Sequence, residues 1–277
     1  MSSPDRNPAV SHHYARWADA FVGLRGTRAM HAGYYTGAGD TATIADAADR
    51  LVRLAGRQLG LGPGHHLLDI GCGTGQPAVL LAEETGCRVA GVDASRDMLE
   101  LGRCQAAGSV AADRISFHHS DATKLPFPDR SFDRALMIEV VSHVPDTAED
   151  GKQAAFAEAA RCLRPDGLLA LVDMTAPSAA AAERRNWMDD VPSVHLTTRQ
   201  RLLELLVAAG LEVRDVTDIS PHVRHSGRRT QEVFDDHRQE LAAALGSGTV
   251  ERMARLVGQV AEAYENLGYL MVTARVR

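Results

Sequence analysis

Long apolar runs, an excess of positive charge and paired cysteines are all missing from this sequence. No uninterrupted apolar stretch approaches the ~20 residues that cross a bilayer, and the opening "MSSPDRNPAV" lacks the apolar segment of a secretory leader and reads as a loose tail. A formal net charge of −6 argues against a generic nucleic-acid or anionic-membrane surface. The four cysteines, Cys72, Cys87, Cys104 and Cys162, include no pair at metal-ligand spacing and read as reduced thiols of a cytoplasmic protein. Histidine doublets at 12–13, 65–66 and 118–119 do not form a helix-spaced metal motif, and no carboxylate cluster suits a divalent ion, so no metal is expected. Internal repeats are absent too, and the one biased tract, "SAAAAE" at 178–183, is ordinary helix-forming material.

What the chain does have is alternation. "SHHYARWADAFVGL" reads as a short helix and "MHAGYY" as an aromatic loop. A longer helix follows, with Ile44, Ala47, Ala48, Leu51, Leu54 and Leu59 mostly on one stripe, stopped by Gly60 and the "GPG" at 62–64. Strands are then expected at 67–70, 88–93, 115–121, 132–140 and 168–174. Helices are expected from Pro77 to Glu84, Met98 to Ala107 and Glu149 to Leu163, with "RPDG" turning into the fifth strand. Such a chain forms right-handed crossovers and a mostly parallel sheet. Beyond it come a helix at 197–210, a strand at 211–219, a largely helical block and a final strand in "GYLMVTARVR". The 277 residues allow one large α/β domain with an insertion.

Three glycines, Gly71, Gly73 and Gly75, crowd between the first strand of this alternation and the helix after it. Ligands of doubly wound sheets bind at the carboxyl ends of the strands, where a glycine-rich first turn lets backbone N–H groups approach them. Asp93 ends the second strand, about twenty residues on, as expected of a ribose-binding acid. No Lys–Ser/Thr pair follows the glycines, so the triphosphate-cradling loop is excluded, and the spacing is not that of the dinucleotide turn. Asp69, inside the strand before the turn, suits a ligand that carries positive charge.

"LLDIGCGTG", "GVDAS", "DATKLPFPDRSFD" and "LRPDGLLALVDM", in this order over 67–174, resemble the four motifs of class I methyltransferases that use S-adenosylmethionine. "MHAGYY", "VTDIS" and the terminal strand resemble bacterial natural-product enzymes of that class, including those that methylate sugar hydroxyls. The resemblance implies that Asp69 and the backbone of Gly71, Gly73 and Gly75 hold the methionine portion of the cofactor. By the same resemblance Asp93, with Ala94 beside it, holds the ribose, Asp121 and Ala122 flank the adenine, and Glu139 and Val140 line the floor beneath the sulfonium. Tyr14 and Tyr34 or Tyr35 are the implied cover residues. Methyl transfer to a hydroxyl needs a proton acceptor, and His143, four residues after Glu139, is the candidate, with Asp173 at the end of the fifth strand as its partner. Relatives acting on sugar hydroxyls often carry two adjacent histidines where this chain has Ser142 and His143.

The resulting expectation is a Rossmann-like, seven-stranded, mostly parallel sheet with helices on both faces. A helical cover is expected over 1–60, the cofactor-binding core over 61–220, a helical lid over 221–266 and a last strand over 267–277. The expected activity is O-methylation of a small molecule in specialised metabolism. C-methylation of a prenyl or polyketide acceptor, and a protein that keeps the cofactor as a structural element while binding or cyclising a substrate, stay open. The acceptor pocket is expected from the N-terminal helix, Trp187–His195 and the helices of the lid. Neither nucleic acid nor membrane is an expected partner, and a homo-oligomer stays open.

Overall fold

Short apolar runs bounded by Gly, Pro and Asp become strands here, and the 3.6-period stripes between them become helices. The computed structural model describes residues 22–37, 39–146, 151–183 and 194–277. The expected tail, Tyr14 with most of its helix, and most of the 187–195 segment lie outside these residues.

Helix α1 (Ile44–Leu59) starts where the Thr43 hydroxyl accepts the Asp46 N–H and stops where Gly60 takes a left-handed conformation. The alternating unit follows: β1 (His66–Ile70), α2 (Gln76–Thr85), β2 (Arg88–Asp93), α3 (Arg96–Ala107), β3 (Ile115–His119), β4 (Phe132–Ile138), α4 (Lys152–Cys162) and β5 (Leu163–Thr175). A short α5 (Ala179–Ala182), α6 (Arg199–Ala208), β6 (Leu211–Asp218), α7 (Ser220–Leu245), α8 (Ser247–Asn266) and β7 (Gly268–Val276) complete the order.

The seven strands form one sheet in the order β3-β2-β1-β4-β5-β7-β6. Pairs from β3 through β5 are parallel, and β7 runs antiparallel to both of its neighbours. Strand order reverses between β1 and β4, which opens a crevice at their carboxyl ends. Alternating side chains serve two layers. Leu67 and Leu136 pack with Leu51 and Ala55 of α1 and with Leu81 of α2. Leu68, Ile70, Ala135 and Met137 pack with Phe156 of α4 and Leu205 of α6.

Strand ends differ from the sequence expectation, each for a local reason. β3 stops at His119 rather than 121, because Asp121 Oδ1 accepts the Thr123 N–H and hydroxyl in a tight side-chain turn. β4 stops at Ile138 because Glu139 is left-handed, with φ 52°. β5 begins at Leu163, and the expected "RPDG" turn is a bulge within it: the register jumps between Phe132 and Arg134, and Asp166 has φ 61°. The helical block resolves into α7 and α8, packed on each other so closely that Gly227 faces Ala261 Cα.

Candidate active site

The crevice at the β1/β4 reversal is a cavity lined by the ends of β1, β2 and β4, the turns after β3 and β4, and Met30 and His31 of the preceding loop. Gly71, Gly73 and Gly75 all have positive φ, at 70°, 52° and 76°. Their roles divide. A Cβ on Gly71 would collide with the Val140 side chain, and one on Gly75 would stand 2.7 Å from the Phe117 ring. Gly73 meets nothing within 4 Å and is held to glycine by its conformation, with its free side open to the cavity. Gly75 is not among the cavity-lining residues: it starts α2 and packs behind the turn.

Asp69 and Asp93 bring two carboxylates to this turn. Asp93 Oδ2 accepts the Gly73 N–H at 2.8 Å, and its Oδ1 accepts the Ser95 N–H at 2.8 Å. The N-cap of α3 is Ser95, whose hydroxyl accepts the Met98 N–H, so Asp93 is not consumed as a cap. Asp69 is 2 % exposed, and its Oδ2 has no hydrogen-bond partner among the described residues. Burial pushes its carboxyl up to about 7, and the Asp93 carboxylate adds to the rise. A buried acid without a donor costs stability unless a ligand supplies one. An ammonium group does so, and the unfilled side of Gly73 leaves room beside it. Ala94, Asp121 and Ala122 line the same cavity, and His119 Nε2 pairs with the Ala94 carbonyl at 2.9 Å.

Glu139, Val140 and His143 line it from the β4 side. His143 sits in a 3-10 turn over Val141–His143. Asp173 does not face the cleft, contrary to the expectation from its strand-end position. It is fully buried, its Oδ2 accepts the backbone N–H groups of Val140, Val141 and Ser142, and its Oδ1 accepts that of Met174. It therefore braces the turn that carries His143, a capping role forced by the N–H groups that a sharp turn leaves unpaired. Lys152, which no motif in the sequence marks, does the reciprocal work. Its buried Nζ donates to the carbonyls of Val141, Val144 and His195. Burial lowers the Lys152 ammonium to about 8, and Asp173 pulls the other way. A signal existed: the chain has only two lysines, Lys124 and Lys152, among 30 basic residues.

The aromatic loop also behaves differently from expectation. Tyr34 stacks on His222 of α7, and Tyr35 is buried beside His225, so neither lines the cavity. Met30 and His31, a turn earlier, form that wall. His31 is held neutral, since burial lowers its imidazole to about 4.

A mostly parallel sheet with a glycine turn after β1, an acid ending β2 and a 3,2,1,4,5,7,6 order defines the class I methyltransferase type of fold. Comparison with known proteins agrees. Residues 68–171 match the family model described as a methyltransferase domain. The chain is 34% identical to the 27-O-demethylrifamycin SV methyltransferase of Amycolatopsis mediterranei, over 99% of both chains. It is 32% identical to the methyltransferase GfsG of Streptomyces halstedii, over 88% of this chain and 86% of that one. Among solved structures, the [4+2]-cyclase SpnF superposes with a TM-score of 0.81 at 28% identity, covering 96% of this chain and 94% of that one. The cyclopropane synthase MmaA2 of Mycobacterium tuberculosis has the same fold, with a TM-score of 0.84 at 19% identity over 98% of both chains.

The chain belongs to the class I S-adenosylmethionine-dependent methyltransferases. Its cofactor is S-adenosylmethionine. No helix among the described residues is long and apolar enough to cross a membrane.

Proposed function

We propose that this enzyme transfers the methyl group of S-adenosylmethionine to a hydroxyl of a small natural product, with His143 taking the hydroxyl proton. The observation that carries the reading is that His143 and the glycine turn line one cavity, and that His143 rides on a turn clamped from below by Asp173 and Lys152. The cofactor supplies an activated methyl carbon when bound; the protein must align the acceptor, exclude water and accept a proton. Asp69 pairs with the ammonium, Asp93 with the ribose hydroxyls, and Asp121 and Ala122 flank the adenine. The Asp93 carboxylate is oriented by the Gly73 and Ser95 N–H groups at the end of β2. Glu139 stands at the floor, and Asp173 is a positioning residue for the His143 turn. Relatives whose names state O-methylation, such as that of Amycolatopsis mediterranei, support the hydroxyl acceptor and the setting in natural-product metabolism.

The test is turnover with hydroxylated polyketide and glycoside acceptors, following S-adenosylhomocysteine. His143→Ala should lose about 10²–10⁴ in kcat with cofactor affinity unchanged, the usual share of general-base catalysis. Full turnover in that variant would remove His143 from the chemistry. A second reading has one specific support, the likeness to a [4+2]-cyclase at 28% identity. Under it the substrate would be consumed with no S-adenosylhomocysteine formed.

A further inference from the structure

Glu139 joins three parts of the molecule through one carboxylate oxygen. Its Oε1 accepts the Ala32 N–H at 2.6 Å from the loop before α1, the Tyr264 hydroxyl at 3.4 Å from α8, and the Tyr269 hydroxyl from β7. Glu139 also lines the cavity. Its backbone is left-handed, a conformation that a non-glycine residue keeps only where its surroundings impose it.

The loop that Glu139 holds contributes Met30 and His31 to the cavity wall. It is folded around the Arg25 guanidinium, which donates to the carbonyls of Ala29 at 3.0 Å and His31 at 2.8 Å. One end is tied to the glycine turn, where the Thr74 hydroxyl donates to the Arg28 carbonyl at 2.6 Å. The other end reaches Glu139 through Ala32. Between the two ties lie Met30 and His31, which face the cavity.

We propose that Glu139 is a charge-sensing latch: it holds the 25–36 cover closed while the cavity contains a sulfonium and loosens it once the sulfur is neutral. Accepting three donors is a property of the ionised carboxylate, and protonation weakens all three bonds together. Burial pushes the Glu139 carboxyl up to about 7, opposed by the Tyr269 and Ala32 donors and by Arg25, and reinforced by Asp173. The group is therefore close to balance near neutral pH. A cation in the cavity favours the ionised form, so a proton leaves to solvent and the latch tightens. After methyl transfer the sulfur carries no charge, Glu139 regains a proton from solvent more readily, and the cover opens for the product. The inference rests on the cofactor alone and is independent of the acceptor and of the role of His143.

The experiment is calorimetry of S-adenosylmethionine and S-adenosylhomocysteine binding to the full chain, in two buffers of different ionisation enthalpy, between pH 6 and 8. Both ligands carry the same ammonium, so proton release from Asp69 cancels in the comparison; only the sulfonium differs. The wild type should release more protons with S-adenosylmethionine, by up to about half a proton for a one-unit shift near pH 7. The difference should vanish in Glu139→Gln. In Tyr269→Phe, which keeps the carboxylate and removes a donor to its ionised form, the difference should move to higher pH. Hydrogen exchange of amides 28–34 supplies the structural readout. In the wild type S-adenosylmethionine should protect them more than S-adenosylhomocysteine does, and in Glu139→Gln equally. Equal proton release by the two ligands in the wild type overturns the proposal, and so does a difference that survives in Glu139→Gln, which would assign the sensing to another group such as His143. Should Glu139→Gln fail to fold, an unmoved profile in Tyr269→Phe overturns it alone.

Discussion

At the residue scale, Asp69 is a buried acid whose Oδ2 has no donor among the described residues, an arrangement that the fold tolerates at a cost. In an unfolded chain its carboxyl ionises near 4; in the fold it is raised to about 7, by burial and then by Asp93. The folded form therefore binds more protons than the unfolded one between about pH 4 and 7, and its stability contribution falls as pH rises through that window. Asp69→Asn removes the ionisable group. The variant should come closest to the wild type near pH 4 and gain on it by about 4 kcal/mol by pH 7 and above in the absence of ligand. Denaturant unfolding at pH 4, 6 and 8 measures this, and a gap that stays constant with pH would contradict it. The same variant should bind S-adenosylmethionine more weakly if, as proposed, the lost charge pairs with the ammonium of the cofactor.

At the element scale, the turn after β4 is defined less by its own residues than by two buried charges beneath it. Asp173 on β5 collects its N–H groups, and Lys152, the first residue of α4, collects its carbonyls and that of His195. The His195 N–H also donates to Ser142 O at 2.7 Å, so the segment before α6 is sewn to the same turn. Lys152→Met fills the space, leaves Asp173 without its cation and takes one donor from each of the Val141, Val144 and His195 carbonyls. It should cost about 3–5 kcal/mol, the range for breaking a buried charge pair. Turnover should fall further than cofactor affinity, because the displaced element carries His143 while Asp69 and Asp93 stand on other strands. Thermal unfolding and a separate binding titration read the two effects; equal losses in both would mean that the clamp supports the cavity as a whole.

At the scale of the whole molecule, the covering parts are attached to the sheet through a few close approaches. Gly227 of α7 faces Ala261 Cα of α8, where an added Cβ would stand 2.7 Å away. Gly33 donates to the Ser226 hydroxyl at 2.9 Å, and Tyr35 N–H donates to the His222 carbonyl at 3.3 Å, so the loop over the cavity rests on α7. Gly227→Val should force α7 and α8 apart at about 1–3 kcal/mol, leaving the two core layers of the sheet intact. Tyr264, on α8, would then move away from Glu139. The expected result is a folded protein with a lowered Tm and weakened S-adenosylmethionine binding, checked by circular dichroism and calorimetry; undiminished affinity would show that the helix pair does not support the cavity.

The alternation of strands and helices, the glycine turn, the acids at 69 and 93 and the class of cofactor are all legible in the chain, because each depends on neighbours within about thirty residues. Period-2 and period-3.6 patterns, a glycine run and a strand-end acid are local features, and their meaning survives without coordinates. The partners of buried charges are not legible. A strand end allows Asp173 to face either way, and the sequence alone points it at the cleft; only the N–H groups of residues 140–142, brought over from the neighbouring strand, decide that it points beneath the turn. The sequence likewise offers tyrosines as the cover, yet Tyr34 and Tyr35 turn toward α7, nearly two hundred residues away in sequence, and leave Met30 and His31 on the cavity. Glu139 itself is singled out by the family resemblance, but its hold on Ala32, Tyr264 and Tyr269 spans separations of 107, 125 and 130 residues. Contacts at that range leave no periodicity in the chain, since they are fixed by the order in which strands pair and by which side chains the packed sheet leaves room for.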